Sequence, residues 1–340
     1  MDQHEYSVSI IIPTYDRAAF LRHVSLPSVV RQTVPALECI VVDDGSTDDT
    51  AAVVRRFIEE NPGTDIKYVH QGNAGVAAAR NAGIARAKGE WVLALDSDDA
   101  LLDDALETLI AAARNGADIV RGRTWRVDFQ TGRIRGIGGS TPSSVLLRKS
   151  IFSKYGPYDE DRDIIEDIDH MFRLLPFIEE GTLVMPYLDH ATTVYFSHGG
   201  QVTNLATASR LVVKERAMIG KWGSRLPDTP RGKGNIAHLW RNKGVYEILS
   251  GDTKEGRRSL AASLRIRWSW GTLFLYGCAY GGTRVMRSFV VPMRRASETL
   301  GFRLGLIRFA LKHHAEFRRG RSEARRIARS AQGRETEHMR

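Results

Sequence analysis

Trp91-Val92-Leu93-Ala94-Leu95-Asp96-Ser97-Asp98-Asp99 places an apolar run directly before three carboxylates in four residues. A run of that length and composition reads as a buried strand of a parallel sheet. Three like charges at a strand's carboxyl end repel one another and call for a counter-charge. A divalent cation supplies it, because hard cations prefer carboxylate oxygens. The carboxyl edge of an open α/β sheet is also where ligands bind. The cluster therefore points to a metal site that could hold a phosphorylated substrate.

The segments before this run alternate between strand and helix. Val8 to Ile12 is a β-branched run stopped by Pro13, and Arg17 to Gln32 has helical character with Pro27 inside it. Cys39 to Val42 reads as a second strand, Asp48 to Glu60 as a helix, and Ile66 to His70 as a third strand. Ala74 to Lys88 is a helix stopped by Gly89, and Asp103 to Arg114 a helix closed by Asn115-Gly116. Strands and helices in this rhythm imply a parallel sheet covered by helices. Beyond Asp118 the strand pieces are Ile119 to Val127, Ile134 to Ile137, Ser144 to Leu147, Thr182 to Val184 and Thr192 to Phe196, with a helix at Ile164 to Leu175. After about Leu205 the chain reads as helical, with a turn at Gly251-Asp252 between Ile236 to Leu249 and Thr253 to Arg265. The expected domains are 1–204 and a helical, basic region at 205–340.

Composition is that of a globular protein, with 42% hydrophobic and 26% charged residues in 340. The two cysteines, Cys39 and Cys278, have no metal-ligand spacing and imply no disulfide framework, which suits a reducing compartment. The polar start lacks a signal-peptide core, and Trp270 to Gly282 is too short to span a bilayer. A cytoplasmic location is expected, with peripheral contact at the inner membrane face as an extension. From Arg294 to Arg340 there are 13 Lys/Arg against 5 Asp/Glu, which is +8 of the chain's +9. The basicity thus belongs to the tail, and a basic tail attracts anionic surfaces.

Several short motifs follow the strands. Pro13-Thr14-Tyr15-Asp16 follows the first; Tyr15 could stack on a flat ring and Thr14 could bond a ligand, or the segment is a simple turn. Asp43-Asp44-Gly45-Ser46-Thr47-Asp48-Asp49-Thr50 follows the second. Ser46 and Asp49 resemble a capping box, which leaves Asp43 and Asp44 free to meet a base N–H. Gln71 through Asn81 follows the third strand; Gly72 and Gly75 permit close backbone approach, and the helix N-terminus favours phosphate. Arg80 adds a cation, or lies solvated on the helix. Glu166 and Asp167 suit a helix start, while Asp169 and Arg173 are spaced as a helix-face ion pair. His198 closes Tyr195-Phe196-Ser197-His198-Gly199-Gly200; a lone His is more often a structural donor than a ligand.

In order and context these motifs resemble family 2 glycosyltransferases, inverting enzymes of the GT-A fold, over roughly Ser7 to Thr203. The motifs are Ile-Pro-Thr-Tyr-Asp-Arg at 12–17, Val-Asp-Asp-Gly-Ser-Thr-Asp-Asp-Thr at 42–50, Asn73 through Asn81, the Asp96-Ser97-Asp98 DxD, Gly156 through Glu160, and Glu166-Asp167. The resemblance implies an α/β fold with a Rossmann-like, mostly parallel sheet flanked by helices. It implies that Pro13, Thr14, Tyr15 and Asp44 hold the nucleotide, with Asp44 on the base. Arg80 would approach the nucleotide or diphosphate. Asp96 and Asp98 would form the DxD pair on Mg²⁺ or Mn²⁺, with Asp98 the direct ligand, and Asp99 could contribute. Asp167 would be the catalytic base and Glu166 would orient it or the acceptor. His198 would reach the diphosphate or metal, although Gln201 stands where the family pattern has Ser.

The expected partners are a nucleotide-sugar donor, with UDP as the family tendency and dTDP or GDP as alternatives, and a saccharide, lipid-linked or small aglycone acceptor. A sugar-phosphate nucleotidyltransferase would want a Gly-rich basic loop where Pro13-Thr14-Tyr15 stands. A binding protein without transfer would not need Asp96, Asp98 and Asp167 together. Past Leu205 the favoured reading is a helical cap with core aromatics. The sharper one lays Arg265 to Arg329 on an anionic membrane with Trp268, Trp270, Phe274, Phe289 and Phe302 dipping in. No nucleic-acid module accompanies the charge.

Overall fold

The computed structural model describes residues 6–139, 141–198, 208–286, 319 and 321–330. They form two compact units. The first holds the chain to Glu160, Glu180–His198 and the described tail residues; the second holds Asp161–Glu179 and the described part of Gly199–Leu300. The division differs from a cut at 204 in two places: 161–179 joins the later helices, and the tail joins the first unit.

In the first unit, β1 (Val8–Thr14), β2 (Glu38–Asp43), β3 (Ile66–His70) and β4 (Trp91–Ala94) form a parallel block ordered β3-β2-β1-β4. β1, β2 and β4 are buried along their whole length, which is why they read as unbroken apolar runs. The sheet continues through β8 (Val145–Arg148), β6 (Ile119–Asp128), β9 (Tyr187–Ser197) and β5 (Ala100–Leu101), with β7 (Ile134–Gly138) on β6. β8 is antiparallel to β4 and β6, whereas β9 is parallel to β6.

One sheet face is packed by α3 (Thr50–Glu60), α5 (Ala105–Ala113) and the helical segment after β1, through Val54, Phe57, Leu106, Leu109, Leu21 and Leu26. That segment is α1 (Ala18–Phe20), a π turn at Leu21–Ser25 and α2 (Leu26–Val30), which follow one another without a break; the π turn stands directly before Pro27, whose missing N–H cannot join the regular helical ladder. α4 (Val76–Arg86) packs on β1 and β2. It approaches so closely that a Cβ on Gly83 would lie 2.3 Å from Ile11 Cγ2. The small residues of α4 therefore serve helix-to-sheet contact.

Three local expectations are corrected. Thr182 to Val184 is not a strand; Val184 accepts from the N–H groups of Asp118 and Ile119 and donates its own N–H to Asp118 Oδ2 at 3.0 Å, and β9 begins at Tyr187. The Ser46 capping box does not form: α3 starts at Thr50, and the Ser46 hydroxyl accepts from the Asp16 N–H at 2.9 Å. β5 and the helix α6 (Ser150–Tyr155) add elements that carry no period in the sequence.

The second unit is helical: α7 (Glu166–Glu179), α8 (Ala208–Trp222), α9 (Pro230–Ser250), α10 (Thr253–Ile266), α11 (Trp270–Cys278) and α12 (Gly282–Val285). α7 runs past its expected end at Leu175, through Pro176. α9 ends on Gly251 in the left-handed region, φ 110°, and Asp252 caps α10 by accepting from the Glu255 N–H. Gly244 and Gly256 let α9 and α10 touch: a Cβ on Gly244 would meet the Gly256 carbonyl at 2.8 Å.

Candidate active site

The parallel register brings the ends of β1, β2 and β3 level, Thr14 beside Asp43 and Asp43 beside His70, with β4 ending one strand away. The loops that follow them are cross-braced. Asp16 has a positive φ of 48°. Its carboxylate accepts from the Thr47 N–H at 2.7 Å and the Asp48 N–H at 3.3 Å, and the first of these holds its pKa below the ordinary value. Asp48 in turn accepts from the Ala18 N–H at 3.0 Å. This lattice accounts for Asp16, Ser46, Thr47 and Asp48 without a ligand. Pro13 and Thr14 are buried in β1, whereas Tyr15 stands out at the surface.

Asp43 and Asp44 separate in role. Asp43 is buried and accepts from the Ser46 N–H at 2.8 Å and the Tyr68 hydroxyl, which raises the pKa of that phenol together with its burial. Asp44 accepts from Gln71 Nε2 at 2.8 Å, the Ala74 N–H at 2.8 Å and the Gly75 N–H at 2.7 Å. A carboxylate has about four acceptor positions, so one is left for a base N–H. Asp44 thus takes the N–H groups just before α4, Ala74 and the N-cap Gly75, and places a carboxylate near the positive end of the helix. Gly75 makes the turn possible with φ 98°, and Gly45 (φ 83°) would carry a Cβ 2.9 Å from the Asn73 nitrogen.

Arg80 is buried in α4 rather than solvated. Its Nη2 donates to Asp96 Oδ1 at 2.7 Å, and its guanidinium lies 5.7 Å from the Tyr158 ring centre. Asn81 clamps the Gly156–Glu160 stretch by donating to the Tyr158 carbonyl and Glu160 Oε1, both at 2.9 Å, and accepting from the Tyr158 N–H at 3.0 Å. Asp98 Oδ2 lies 2.9 Å from His198 Nε2, bridging 100 residues of sequence. The imidazole is backed by the Phe20 ring, with centroids 4.7 Å apart. Gly199, Gly200 and Gln201 lie outside the described residues.

Asp99 departs from its neighbours. It is fully buried and accepts from the Ser143 hydroxyl at 2.7 Å. Burial, with the charges of Asp96 and Asp98, pushes its carboxyl well above the usual range. Ser143 also accepts from the Asp96 N–H at 3.1 Å, so one hydroxyl pins both ends of the acidic turn. It lies in the turn Pro142–Ser144, whose sequence gives no hint of this task. The Asp96 and Asp98 side chains remain 30% and 18% exposed. The edge therefore presents two partly exposed carboxylates, Asp96 beside Arg80 and Asp98 beside His198.

Among the described residues, no group of three or more His, Cys, Asp or Glu is arranged as a complete metal site. The donors still suit a hard divalent cation. Mg²⁺-type ions take one or two carboxylates and draw their other ligands from substrate phosphates and water. Asp98 Oδ2 and His198 Nε2 are also about as far apart as neighbouring ligands on one octahedral ion, roughly 3 Å.

Glu166 and Asp167 belong to the second unit, in the first turn of α7. Asp167 Oδ1 accepts from the Ile168 N–H at 2.9 Å. Nearby, Lys214 donates to the Ile164 carbonyl at 3.0 Å, and burial lowers its pKa. Asp169 and Arg173 do pair, at 2.8 Å, but Asp169 is buried and also meets Lys221 at 2.6 Å and Trp222 Nε1 at 2.7 Å. The expected surface pair is thus a core network.

Comparison with known proteins bears on the domain that holds these residues. The family model described as Glycosyl transferase family 2 matches residues 9–176. An uncharacterized glycosyltransferase, YibD of Escherichia coli (strain K12), is 34% identical over 142 residues, which are 38% of this chain and 40% of that protein. The chain thus spans about two fifths of the length of that relative. In structure it is similar to S. aureus TarS 1-349 in complex with UDP-GlcNAc, with TM-score 0.53 and 18% identity over 76% of this chain and 81% of that one. It is equally similar to the mannosyltransferase PcManGT from Pyrobaculum calidifontis in complex with GDP-Man and Mn²⁺, with TM-score 0.53 and 19% identity over 91% and 87%. The strand-end carboxylates of this chain sit in a family 2 glycosyl transferase domain of GT-A fold, and it is to that family that the chain belongs through residues 9–176.

Proposed function

We propose that the protein transfers a sugar from a nucleotide-sugar donor, of which a UDP-sugar is the first choice, to an acceptor hydroxyl, with inversion at the anomeric carbon. The observation that carries this reading is the pair of partly exposed carboxylates, Asp96 and Asp98, held by Arg80 and His198 at the edge where the domain's strands end. The two similar solved structures hold a UDP-sugar in one case and a GDP-sugar with Mn²⁺ in the other, which supports this class of donor.

In this reading Tyr15 stacks on the base, Pro13 and Thr14 form the floor beneath it, and Asp44 accepts from it with its remaining lone pair. Asp98 and Asp96 hold Mg²⁺ or Mn²⁺, with His198 beside them and Arg80 setting the angle of Asp96. A cation bound there would supply positive charge to the diphosphate leaving group. Asp167 takes the proton from the acceptor hydroxyl as its oxygen bonds to the anomeric carbon. The bond from that carbon to the diphosphate breaks, and its electron pair leaves with the nucleoside diphosphate. One displacement inverts the centre. The acceptor classes are a growing glycan, a lipid-linked saccharide or a small aglycone.

A thermal-shift screen of UDP-, dTDP- and GDP-sugars with and without Mn²⁺ tests the donor. The matching donor raises the unfolding midpoint by mass action, and only with the cation present. A screen in which no donor shifts the midpoint, with or without Mn²⁺, would overturn the reading. Asp167→Asn should keep the donor-induced shift and lose transfer; loss of the shift itself would show that Asp167 is not the base.

A further inference from the structure

The second unit carries an apolar surface at α11. Trp268 is 56% exposed and Trp270 75%, and Leu273, Phe274 and Tyr280 are also exposed. Positions 270, 273, 274 and 277 share one face by helical spacing. The opposite face, Thr272, Leu275, Tyr276 and Ala279, is turned inward, and its apolar members join the cluster around Ile248 and Leu260. The stripe is therefore a second apolar face on a helix already anchored by its first. The Trp268 and Trp270 rings meet edge to face, 4.5 Å between centres, and project together.

The segment that carries this stripe is basic. Lys254, Arg257, Arg258, Arg265, Arg267 and Arg284 lie between residues 253 and 286, against one acid, Glu255, which pairs with Arg258. All but Arg257 are exposed, and Arg257 lies 4.9 Å over the Tyr280 ring. Tryptophan and phenylalanine projecting from a helix within a field of arginine match the interfacial zone of a bilayer. There the rings sit at headgroup level and the guanidinium groups meet lipid phosphates. The charge excludes neutral surfaces as the preferred target.

We propose that α11 with Trp268 is a docking surface for an anionic membrane. This narrows the membrane face expected over Arg265 to Arg329 to its first helix. Arg319 and Arg326 are paired with Asp104 and Asp103 of the first unit, at 2.6 and 2.7 Å, and Phe289 and Phe302 lie outside the described residues. The inference concerns location and stands apart from the sugar-transfer reading.

Vesicle flotation of the full chain tests it, reading partition alone. With vesicles of about 30% phosphatidylglycerol in phosphatidylcholine at about 0.1 M NaCl, the wild type should float at least about tenfold more than with phosphatidylcholine alone. The triple substitution Trp268→Ser, Trp270→Ser, Phe274→Ser should remove most of that partition with an unchanged unfolding midpoint, since all three side chains are exposed. Tryptophan emission should shift to the blue on binding in the wild type and not in Trp268→Ser, Trp270→Ser. Equal partition of wild type and triple variant, or none with either vesicle, would overturn the proposal. So would a wild-type dimer in size-exclusion chromatography that the triple variant splits, because a second copy would then cover the face.

Discussion

The core of the helical unit and the acidic turn after β4 hold their acids differently. In the helical unit, Asp169 meets Arg173, Lys221 and the Trp222 indole, and Glu247 meets Lys243 at 2.5 Å and the Ser259 hydroxyl at 2.6 Å. Each is surrounded by donors from its own chain, as a charge removed from water has to be. At the strand edge of the α/β unit, Asp96 and Asp98 keep partial exposure and one named cationic or imidazole partner each. The difference separates acids enclosed by donors from acids that keep a face to water. Asp99 lies on the structural side of that line although it is next to Asp98 in sequence, because it is buried against Ser143.

The largest effect that should separate the two kinds is on turnover. Asp98→Ala should lower cation-dependent transfer by about 10³-fold or more while moving the unfolding midpoint little. A variant with full activity would place the ligand elsewhere. Asp169→Ala should do the reverse and destabilise by about 3 kcal/mol in urea unfolding, because it strips the central partner from a buried network. The lower end of the range applies since Lys221 and Arg173 are partly exposed and can turn to water. A loss under about 0.5 kcal/mol would put Asp169 among the open acids. Ser143→Ala should cost about 1–2 kcal/mol, leaving Asp99 and the Asp96 N–H without their shared hydroxyl.

The smallest effect concerns Glu323, which sharpens the comparison from the tail. The helical residues 321–330 bury Ala324, Ile327 and Ala328 against Trp125, Phe129 and Phe196. Glu323 accepts from the Asp103 N–H there, and burial, with Asp103 and Asp104 nearby, raises its carboxyl to about 7. Between the ordinary carboxyl range and pH 7 the folded chain then holds a proton that the unfolded chain has lost. The contact's contribution is therefore full at low pH and declines as pH rises toward 7. Urea midpoints at pH 5 and pH 8 should show that decline in the wild type, and Glu323→Gln should flatten it.

Much of the fold was legible because its signals are local. Val8 to Ile12 and Cys39 to Val42 are buried on both faces and apolar but for Ser9, as strands covered by helices on both sides are. The Gly251-Asp252 turn carries its own conformational signature in a positive-φ glycine and a capping Asp. β5 was not legible: two residues have no period, and Ala100 and Leu101 become a strand only by pairing with Val194 and Thr193. Ser46 and Asp49 have capping-box spacing, yet the hydroxyl was taken by Asp16, which lies on another loop. The aromatics past residue 205 were expected as core; Trp222 is, while Trp268 and Trp270 face water because α11 has already buried its other face.

By itself the sequence determined that carboxylates would end a buried strand, since an all-apolar run followed by Asp96, Asp98 and Asp99 admits water at one end only. Which of the three stayed open was decided by tertiary structure. The partners arrive from far along the chain: Arg80 from 16 residues before Asp96, Ser143 from 44 after Asp99, and His198 from 100 after Asp98. A carboxylate's solvation and charge depend on what stands within a few ångströms of its oxygens, and the sheet register, through β4, β8 and β9, is what brings those groups there.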